Sequence, residues 1–504
     1  MSQTIRLFTD LGLNMFIVVK LFPEITIKSR PVRRRFIRIL RRNMKSILQK
    51  LDASITVVGE WDYIDIETTT TNPVVLHQIV ESLKCTPGIA KFLTVERYLL
   101  QDIDAVAELC KESYSEILSG KTFAVRCKRS GKHPFKSVDV ERYVGGVLLG
   151  QTNASGVNLT NPDITVRVEI RHDQVFLVKQ EYPGLGGFPL GSQDAVLSLI
   201  SGGFDSAVSS YLCIKRGLLT HYCFFNLGGK AHEFAVKEVA LYLWMKYSSS
   251  HRVKFVTVPF EPVVEEILTK VNDSQMGVIL KRMMLRAAER VADKLNIQAL
   301  VTGESVAQVS SQTLANLAVI DSVTDTLVLR PLIVSDKQDI IDTAREIGTE
   351  DFSKNVPEYC GVISVKPTTR AKQDRIDKEE AHFDLGLIDA AIVSANYQLT
   401  ITIAEGLSNE SGDIQVTSEL KPGEIVIDIR HPTETELYPL KLPDSADPKS
   451  LDVPFFQLQT FFSDKDKEGR FLLYCDKGLM SRLHAAHLVD QGFKDIAVYE
   501  PPSS

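Results

Sequence analysis

Between residues 195 and 389, short apolar runs alternate with stretches of helical spacing. The runs read V-L-S-L-I, H-Y-C-F-F-N-L, V-K-F-V-T-V and A-L-V-T-G. That rhythm predicts a parallel α/β sheet. Ahead of it the texture differs. M-F-I-V-V-K at 15–20 predicts a strand, and 32–51 predicts an amphipathic helix with Phe36, Ile39, Leu40, Ile47 and Leu48 on one face and arginines on the other. Strand patterns at 54–58 and 63–68 complete a small α+β unit. A second unit follows at about 102–183. It has a helix over 103–119, a strand over 122–128, a basic turn over 129–136, a helix over 138–149, and strands over 164–170 and 174–179. The run Y-P-G-L-G-G-F-P-L-G then disfavours both helix and strand, and marks a domain joint. Polar residues from 394 to 417 predict a linker with little core, and 424–499 a compact α/β domain. Residues 1–14 have no clear partner, which makes Met15 a candidate start.

A chain of 504 residues suggests three to five domains at about 100–200 residues each. With 44% hydrophobic and 24% charged residues, each can bury an ordinary core. The net charge of −6 argues weakly against nucleic acid, but the average hides a local block. From Lys20 to Lys50, eleven Lys and Arg face a single acid, Glu24. Such a block is the electrostatic footprint of a polyphosphate binder, or else a solvated basic helix. The seven cysteines contain no C-x-x-C pair, so neither a zinc ribbon nor a disulfide framework is expected. No apolar run is long enough to span a membrane, and the N-terminus does not read as a signal peptide. A cytoplasmic location is the expectation, where paired cysteines would be catalytic.

The most informative local motif is S-G-G-F-D-S at 201–206, between a strand and a helix. Gly202 and Gly203 allow a sharp turn and a close ligand approach. The helix start offers unpaired N–H groups, and Ser201 and Ser206 add hydroxyl donors. Leu199 and Ile200 close the preceding strand. Asp205 would repel a bare anion, which suggests Mg²⁺ or a managed pyrophosphate leaving group. The motif resembles the signature of the PP-loop ATP pyrophosphatases, which adenylate a substrate oxygen. Later strand ends add Gly303 in V-T-G-E, Gln312 in S-S-Q-T, and the cations Lys281 and Lys337. Any one of these four, taken alone, is as readily a surface residue.

Cys475 ends an apolar strand and precedes a Gly-containing loop and a helix, in L-L-Y-C-D-K-G-L-M-S-R. Loop amides can point at the sulfur, and Lys477 and Arg482 add positive potential. This loop and E-I-V-I-D-I-R-H-P upstream resemble the rhodanese domain, which implies a persulfide on Cys475. Cys360, in P-E-Y-C-G-V-I-S, lies in an expected loop. Taken by itself it reads as structural.

In order along the chain, K-L-F-P-E-I-T-I-K-S, the basic THUMP-like stretch G-K-T-F-A-V-R-C-K-R-S-G-K-H, L-I-S-G-G-F-D-S, P-E-Y-C-G-V-I-S and C-D-K-G-L-M-S-R resemble the bacterial tRNA 4-thiouridine synthetases, a family that also serves thiamine biosynthesis. The resemblance runs from Met15 onward. It implies a multidomain α+β and α/β fold: a ferredoxin-like domain (15–76), a THUMP RNA-binding domain (77–182), a PP-loop parallel-sheet domain (183–393), a linker (394–418) and a rhodanese domain (419–504). It implies ATP and Mg²⁺, with Asp205 near the metal and no tightly bound metal cluster. It makes Cys475 the persulfide carrier and Cys360 the resolving thiol that forms a disulfide with it. Arg33, Arg34, Arg38 and Arg41 on the first helix, with Arg126, Lys128, Arg129 and Lys132 around the THUMP turn, become contacts to RNA phosphates. The implied partners are tRNA, a cysteine desulfurase, a small thiamine sulfur-carrier protein and a thiol reductant, with a homodimer left open. A small-molecule adenylating synthetase is a rival reading, but it has no use for the basic N-terminal half or a persulfide. A non-catalytic RNA-binding protein is another, and the intact loop and both cysteines speak against it.

Overall fold

The computed structural model describes residues 15–59, 61, 63–227, 229–354, 366–403, 414–421, 424–443 and 449–501. The expected N-terminal extension and Cys360 lie outside them. The chain forms two units that meet in sequence at Pro189 and Leu190.

In the first unit the strands are β1 (Met15–Leu21), β2 (Thr56–Gly59), β3 (Tyr63–Thr68), β4 (Ile89–Leu99), β5 (Thr122–Ser130), β6 (Gly156–Val157), β7 (Ile164–Arg171) and β8 (Gln174–Pro183). They form one sheet in the order β2-β3-β1-β4-β8-β7-β5-β6. β1 reads as a continuous apolar run because both its faces are covered. Ile17 and Val19 join a core with residues of the helices Arg30–Leu48 and Pro73–Lys84, while Val18 packs with Leu93, Val95, Phe176 and Val178. Helix Arg30–Leu48 buries Phe36, Ile37, Leu40, Met44 and Leu48. Ile37 and Met44 thus hold places that the sequence pattern gave to Ile39 and Ile47, which are half-buried. Both helix starts downstream are capped by side chains. Asn72 accepts from the Val74 N–H (2.9 Å), and Asp102 accepts from the Ala105 N–H (2.7 Å).

The expected seam at 76/77 falls inside helix Pro73–Lys84, whose Leu76, Ile79, Val80 and Leu83 are buried in the first core. The long strand β4 explains why no seam exists there: it pairs with β1 on one side and β8 on the other. Beyond β8, helices Ile103–Leu118 and Ser137–Gln151 cover a second core of Val106, Cys110, Tyr114, Phe123, Val144 and Val168.

The second unit opens with β9 (Ala195–Leu199), β10 (Leu219–Asn226), β11 (Lys254–Pro259), β12 (Ala299–Val301), β13 (Leu327–Leu329) and β14 (Asn396–Leu399). The order is β13-β12-β9-β10-β11-β14, parallel except for β14. The chain runs outward from β9 to β11, then returns to β12 on the other side of β9. A crevice therefore opens at the carboxyl ends of β9 and β12, where doubly wound sheets bind ligands. Helix Phe204–Lys215 packs closely on this sheet through small residues, and its buried hydroxyls are satisfied locally: Ser210 meets Ser198 (2.8 Å) and the Ser206 carbonyl (2.7 Å).

The expected linker is shorter than its polarity suggested. Residues 396–399 form edge strand β14 against β11, and Thr400 and Ile403 behind it are buried. At the far end, β15 (Gln415–Thr417) already belongs to the last domain. With β16 (Ile425–Asp428), β17 (Lys449–Asp452), β18 (Arg470–Tyr474) and β19 (Asp495–Tyr499) it forms a parallel sheet ordered β15-β19-β18-β16-β17. This C-terminal domain rests against the doubly wound one. His487 stacks on Phe234 (3.8 Å between centroids), Phe455 stacks on Phe352 (4.2 Å), and His484 reaches Glu238 (2.9 Å).

Candidate nucleotide and sulfur sites

The loop at 201–206 follows β9 and runs directly into helix Phe204–Lys215. Gly202 adopts φ +82°, a conformation that glycine takes without strain. The Ser206 hydroxyl knits the loop together, accepting from the Ser201 N–H (3.2 Å) and donating to the Gly203 carbonyl (3.0 Å). From outside, Ser353 donates to the Gly202 carbonyl (3.0 Å). The loop borders a cavity of about 340 Å³. Leu199, Ile200, Ser201, Gly203, Asp205, Ser206, Lys281, Gly303, Gln312 and Lys337 all line it, as the sequence reading grouped them; Gly202 shapes the loop without lining the cavity.

Asp205 is clasped from two sides. Lys337 Nζ meets one carboxylate oxygen at 2.8 Å and Gln308 Nε2 the other at 2.7 Å. Lys281 pairs with Glu304 (2.6 Å), which also takes Arg330 (2.7 Å) and the Thr302 hydroxyl (3.1 Å). Burial alone would push the Glu304 carboxyl up. Lys281 and Arg330 overcome this and hold it down at about 2, so it stays ionised. His232, buried at the cavity wall, has its pKa pulled below the ordinary value by that burial, against a hydrogen bond to the Ser201 backbone that raises it.

Gly303 has no room for a side chain. A Cβ there would lie 2.5 Å from the Asp205 carbonyl carbon and 2.8 Å from the Ser206 nitrogen. Its lack of a side chain lets β12 close on the phosphate loop itself. Ala307 takes φ +63°, and its N–H donates to the Gln312 carbonyl (3.0 Å), which turns the loop so that Gln308 and Gln312 both face the cavity. Their Oε1 atoms are buried without a hydrogen-bond partner among the described residues. Buried acceptors left so are open to a ligand's N–H groups. A nucleotide fits this chemistry: N–H groups and hydroxyls at the loop, two lysines, and orphan acceptors in the cavity wall. Gln308, Arg330, His232 and Ser353 escaped the sequence reading. Arg330 carried a signal as the residue just past the end of β13, and His232 as part of N-L-G-G-K-A-H-E.

Cys475 follows β18, and helix Leu479–Asp490 begins just past the turn, with Gly478 at φ +68°. The thiol is half-buried and receives the Ser481 N–H at 3.4 Å, with the Ser481 hydroxyl also at 3.4 Å. Burial pushes the Cys475 pKa up, while hydrogen bonds from Ser481 and the backbone of Lys477 and Met480 pull it down without prevailing. The expected cations are otherwise engaged: Arg482 pairs with Glu500 (2.7 Å), and Lys477 donates to the Met245 carbonyl (3.4 Å). Beneath the loop, buried Arg430 grips Asp428 (2.6 Å) and reaches Asp476 (3.0 Å), which fixes the strand end.

The basic candidates of the first unit divide. Arg34, Arg38 and Arg41 are exposed along one helix. Arg33 is not available to RNA: it is buried, donating to the carbonyls of Thr26 (3.1 Å) and Trp61 (2.9 Å) with its guanidinium over the Trp61 ring. On β5, strand alternation puts Arg126 and Lys128 on one sheet face and Arg129 on the other, where it contacts His133 (2.8 Å). Lys132 is exposed beyond the strand.

A phosphate loop at the switch point of a doubly wound sheet defines a PP-loop nucleotide-binding protein, here with further α/β domains on either side. Comparison with known proteins narrows this. The chain matches the ThiI family (thiamine biosynthesis protein) over residues 191–385, the THUMP domain over 101–178 and the ThiI ferredoxin-like domain over 16–92. It is 55% identical to a tRNA sulfurtransferase of Azotobacter vinelandii, over 97% of this chain and all of that one. A Pseudomonas aeruginosa tRNA sulfurtransferase is 53% identical with the same coverage. The chain belongs to the tRNA sulfurtransferase family. Among solved structures, a 4-thiouridine synthetase in complex with RNA and bound ATP matches with a TM-score of 0.67 and 28% identity, covering 77% of this chain and all of that one. A Pyrococcus horikoshii protein at 18% identity and a TM-score of 0.52 shares the fold.

Proposed function

We propose that this chain uses ATP to activate a uridine of tRNA and replaces its O4 with sulfur carried on Cys475, giving 4-thiouridine. The observation that carries this reading is one cavity that joins the 201–206 loop, Lys281, Lys337 and the orphan acceptors Gln308 and Gln312, in a chain whose relatives are tRNA sulfurtransferases.

Uridine O4 is a poor leaving group. Its attack on the α-phosphorus of ATP forms an adenylated base and expels pyrophosphate. The 201–206 loop, Lys337 and Lys281 line the cavity, and fixed donors in an enclosed site would stabilise the negative charge that develops there. Asp205, with triphosphate oxygens, would hold a Mg²⁺ ion, which supplies charge neutralisation. The clasp by Lys337 and Gln308 keeps Asp205 oriented toward the cavity. The terminal sulfur of a Cys475 persulfide then attacks C4, and AMP leaves. In a C-terminal domain of rhodanese type, the Ser481 N–H holds the Cys475 Sγ that carries it, at the start of a helix.

The product is joined to Cys475 through a disulfide. The Cys360 thiolate attacks the Cys475 sulfur, which frees thiouridine and leaves a Cys360–Cys475 disulfide for an external dithiol to reduce. Attack of Cys360 on the persulfide to release hydrosulfide is the alternative order. Either route brings the two Cα atoms within about 4.4–6.8 Å. The sulfur would come from a cysteine desulfurase, and the same persulfide would serve a small sulfur-carrier protein of thiamine synthesis, in the cytoplasm. The test is to incubate the chain with tRNA, MgATP, a desulfurase and cysteine, and to follow the near-ultraviolet absorbance of thiouridine. Asp205→Ala should abolish it while sparing sulfur loading of Cys475. Thiouridine formed without ATP would refute the reading.

A further inference from the structure

Beside the nucleotide cavity lies a basic stretch that the chemistry above does not use: Lys366, Pro367, Thr368, Thr369, Arg370, Ala371 and Lys372. Pro367 and Thr368 form part of the cavity wall. The backbone is strapped to the site. The Thr368 N–H donates to the Ser274 carbonyl (2.9 Å), and the Thr313 hydroxyl donates to the Thr369 carbonyl (2.8 Å). Asn316, fully buried, donates to the Thr368 carbonyl (2.8 Å) and accepts from the Ala371 N–H (2.8 Å). A buried amide satisfied at both ends holds a segment in one place.

On this fixed backbone the side chains of Lys366, Arg370 and Lys372 are exposed, and none makes an ion pair or hydrogen bond with a described residue. That sets them apart from the neighbouring cations. Lys281, Lys337, Arg282, Arg286 and Arg330 are all paired with carboxylates. Three like charges within seven residues repel one another, so they add nothing to folding. In the helix that follows, Gln373–Glu380, acids alternate with bases, and the cationic stretch ends there.

We propose that Lys366, Arg370 and Lys372 grip phosphates of the tRNA strand beside the target nucleotide, holding it at the cavity mouth. This rests on the reading of the cavity as the site of uridine activation. Such contacts position the strand without reading its sequence, and they are separate from the basic residues of the first unit.

The test uses the full-length triple variant K366Q/R370Q/K372Q and full-length tRNA, with wild type alongside. Removing one cation from a phosphate lowers the slope of log affinity against log salt by about 0.7–0.9, so the variant's slope should fall by roughly two to three. The KM for tRNA should rise about tenfold at moderate salt while the KM for ATP and the melting temperature stay put. The charge-conserving variant K366R/R370K/K372R should restore the slope, which a merely structural role would not do. An unchanged slope beside an active wild type overturns the proposal. So does a variant that binds tRNA normally but loses sulfur transfer to an acidic carrier protein. A wild type that makes no thiouridine instead refutes the underlying reading of the cavity.

Discussion

Substituting Gly303 by alanine isolates the contact that closes the phosphate loop. The Gly303 backbone lies outside the left-handed region, so the methyl meets no conformational objection and acts by collision alone. It would sit 2.5 Å from the Asp205 carbonyl carbon, where ordinary contact begins at 3.4 Å, so the two backbones must part by about 0.9 Å. No flexible side chain is there to yield. Overpacking of this kind costs roughly 1–3 kcal/mol, which should lower the melting temperature of the second unit by a few degrees. Catalysis should suffer more, since a displacement of about 1 Å at a reacting centre can cost 10²-fold. Asp205 and Ser206, the residues pushed, hold the Lys337 pairing and the loop's internal hydrogen bonds. The assay is tRNA-dependent AMP release in single turnover, beside calorimetric melting. Gly303→Ala should fall about 10²-fold in AMP release while Cys475 still accepts persulfide normally. AMP release within twofold of wild type would refute the argument that Gly303 sets the loop.

Lys337→Met should slow AMP release about 10²–10³-fold, the usual loss of a fixed charge partner, with Lys337→Arg less affected. Glu304 carries the acid sensitivity of the site. Its pKa of about 2 lies below the ordinary 4.5, so its roughly 3 kcal/mol of stabilisation is present above pH 4.5 and lost as pH falls toward 2. Glu304→Gln should flatten that part of the acid-unfolding curve, and at neutral pH cost about 3–5 kcal/mol by leaving Lys281 without its carboxylate and Arg330 with Asp321 alone. Because burial raises the Cys475 pKa, its alkylation by iodoacetamide should still be accelerating above about pH 8.5, and Ser481→Ala should slow it further. A plateau below about pH 8 would contradict that.

The parallel sheet, the phosphate loop and its helix, and the strand–loop–helix around Cys475 were legible because each rests on local pattern: apolar runs of strand length, a glycine pair, a thiol at a strand end. What escaped was set by tertiary contact. The seam at 76/77 failed because β4 serves two cores at once, and strand pairing leaves no mark on composition. Residues 396–399 look like linker because an edge strand faces solvent on one side. Arg33 reads like its arginine neighbours, yet it lies buried beside the Thr26 and Trp61 carbonyls. Gln308 gives no sequence signal at all, since a glutamine matters only once Asp205 lies 2.7 Å away.

The central claim is that one ATP is split to AMP for each sulfur delivered through Cys475. Single-turnover reactions with α-labelled ATP, sulfur-labelled cysteine, a desulfurase and tRNA measure both together. The account predicts one AMP per thiouridine in the wild type, and in Cys475→Ser the α-label held on the tRNA as adenylate, with neither free AMP nor labelled thiouridine in step. ADP in place of AMP, or sulfur incorporated at the wild-type rate by Cys475→Ser, would contradict it.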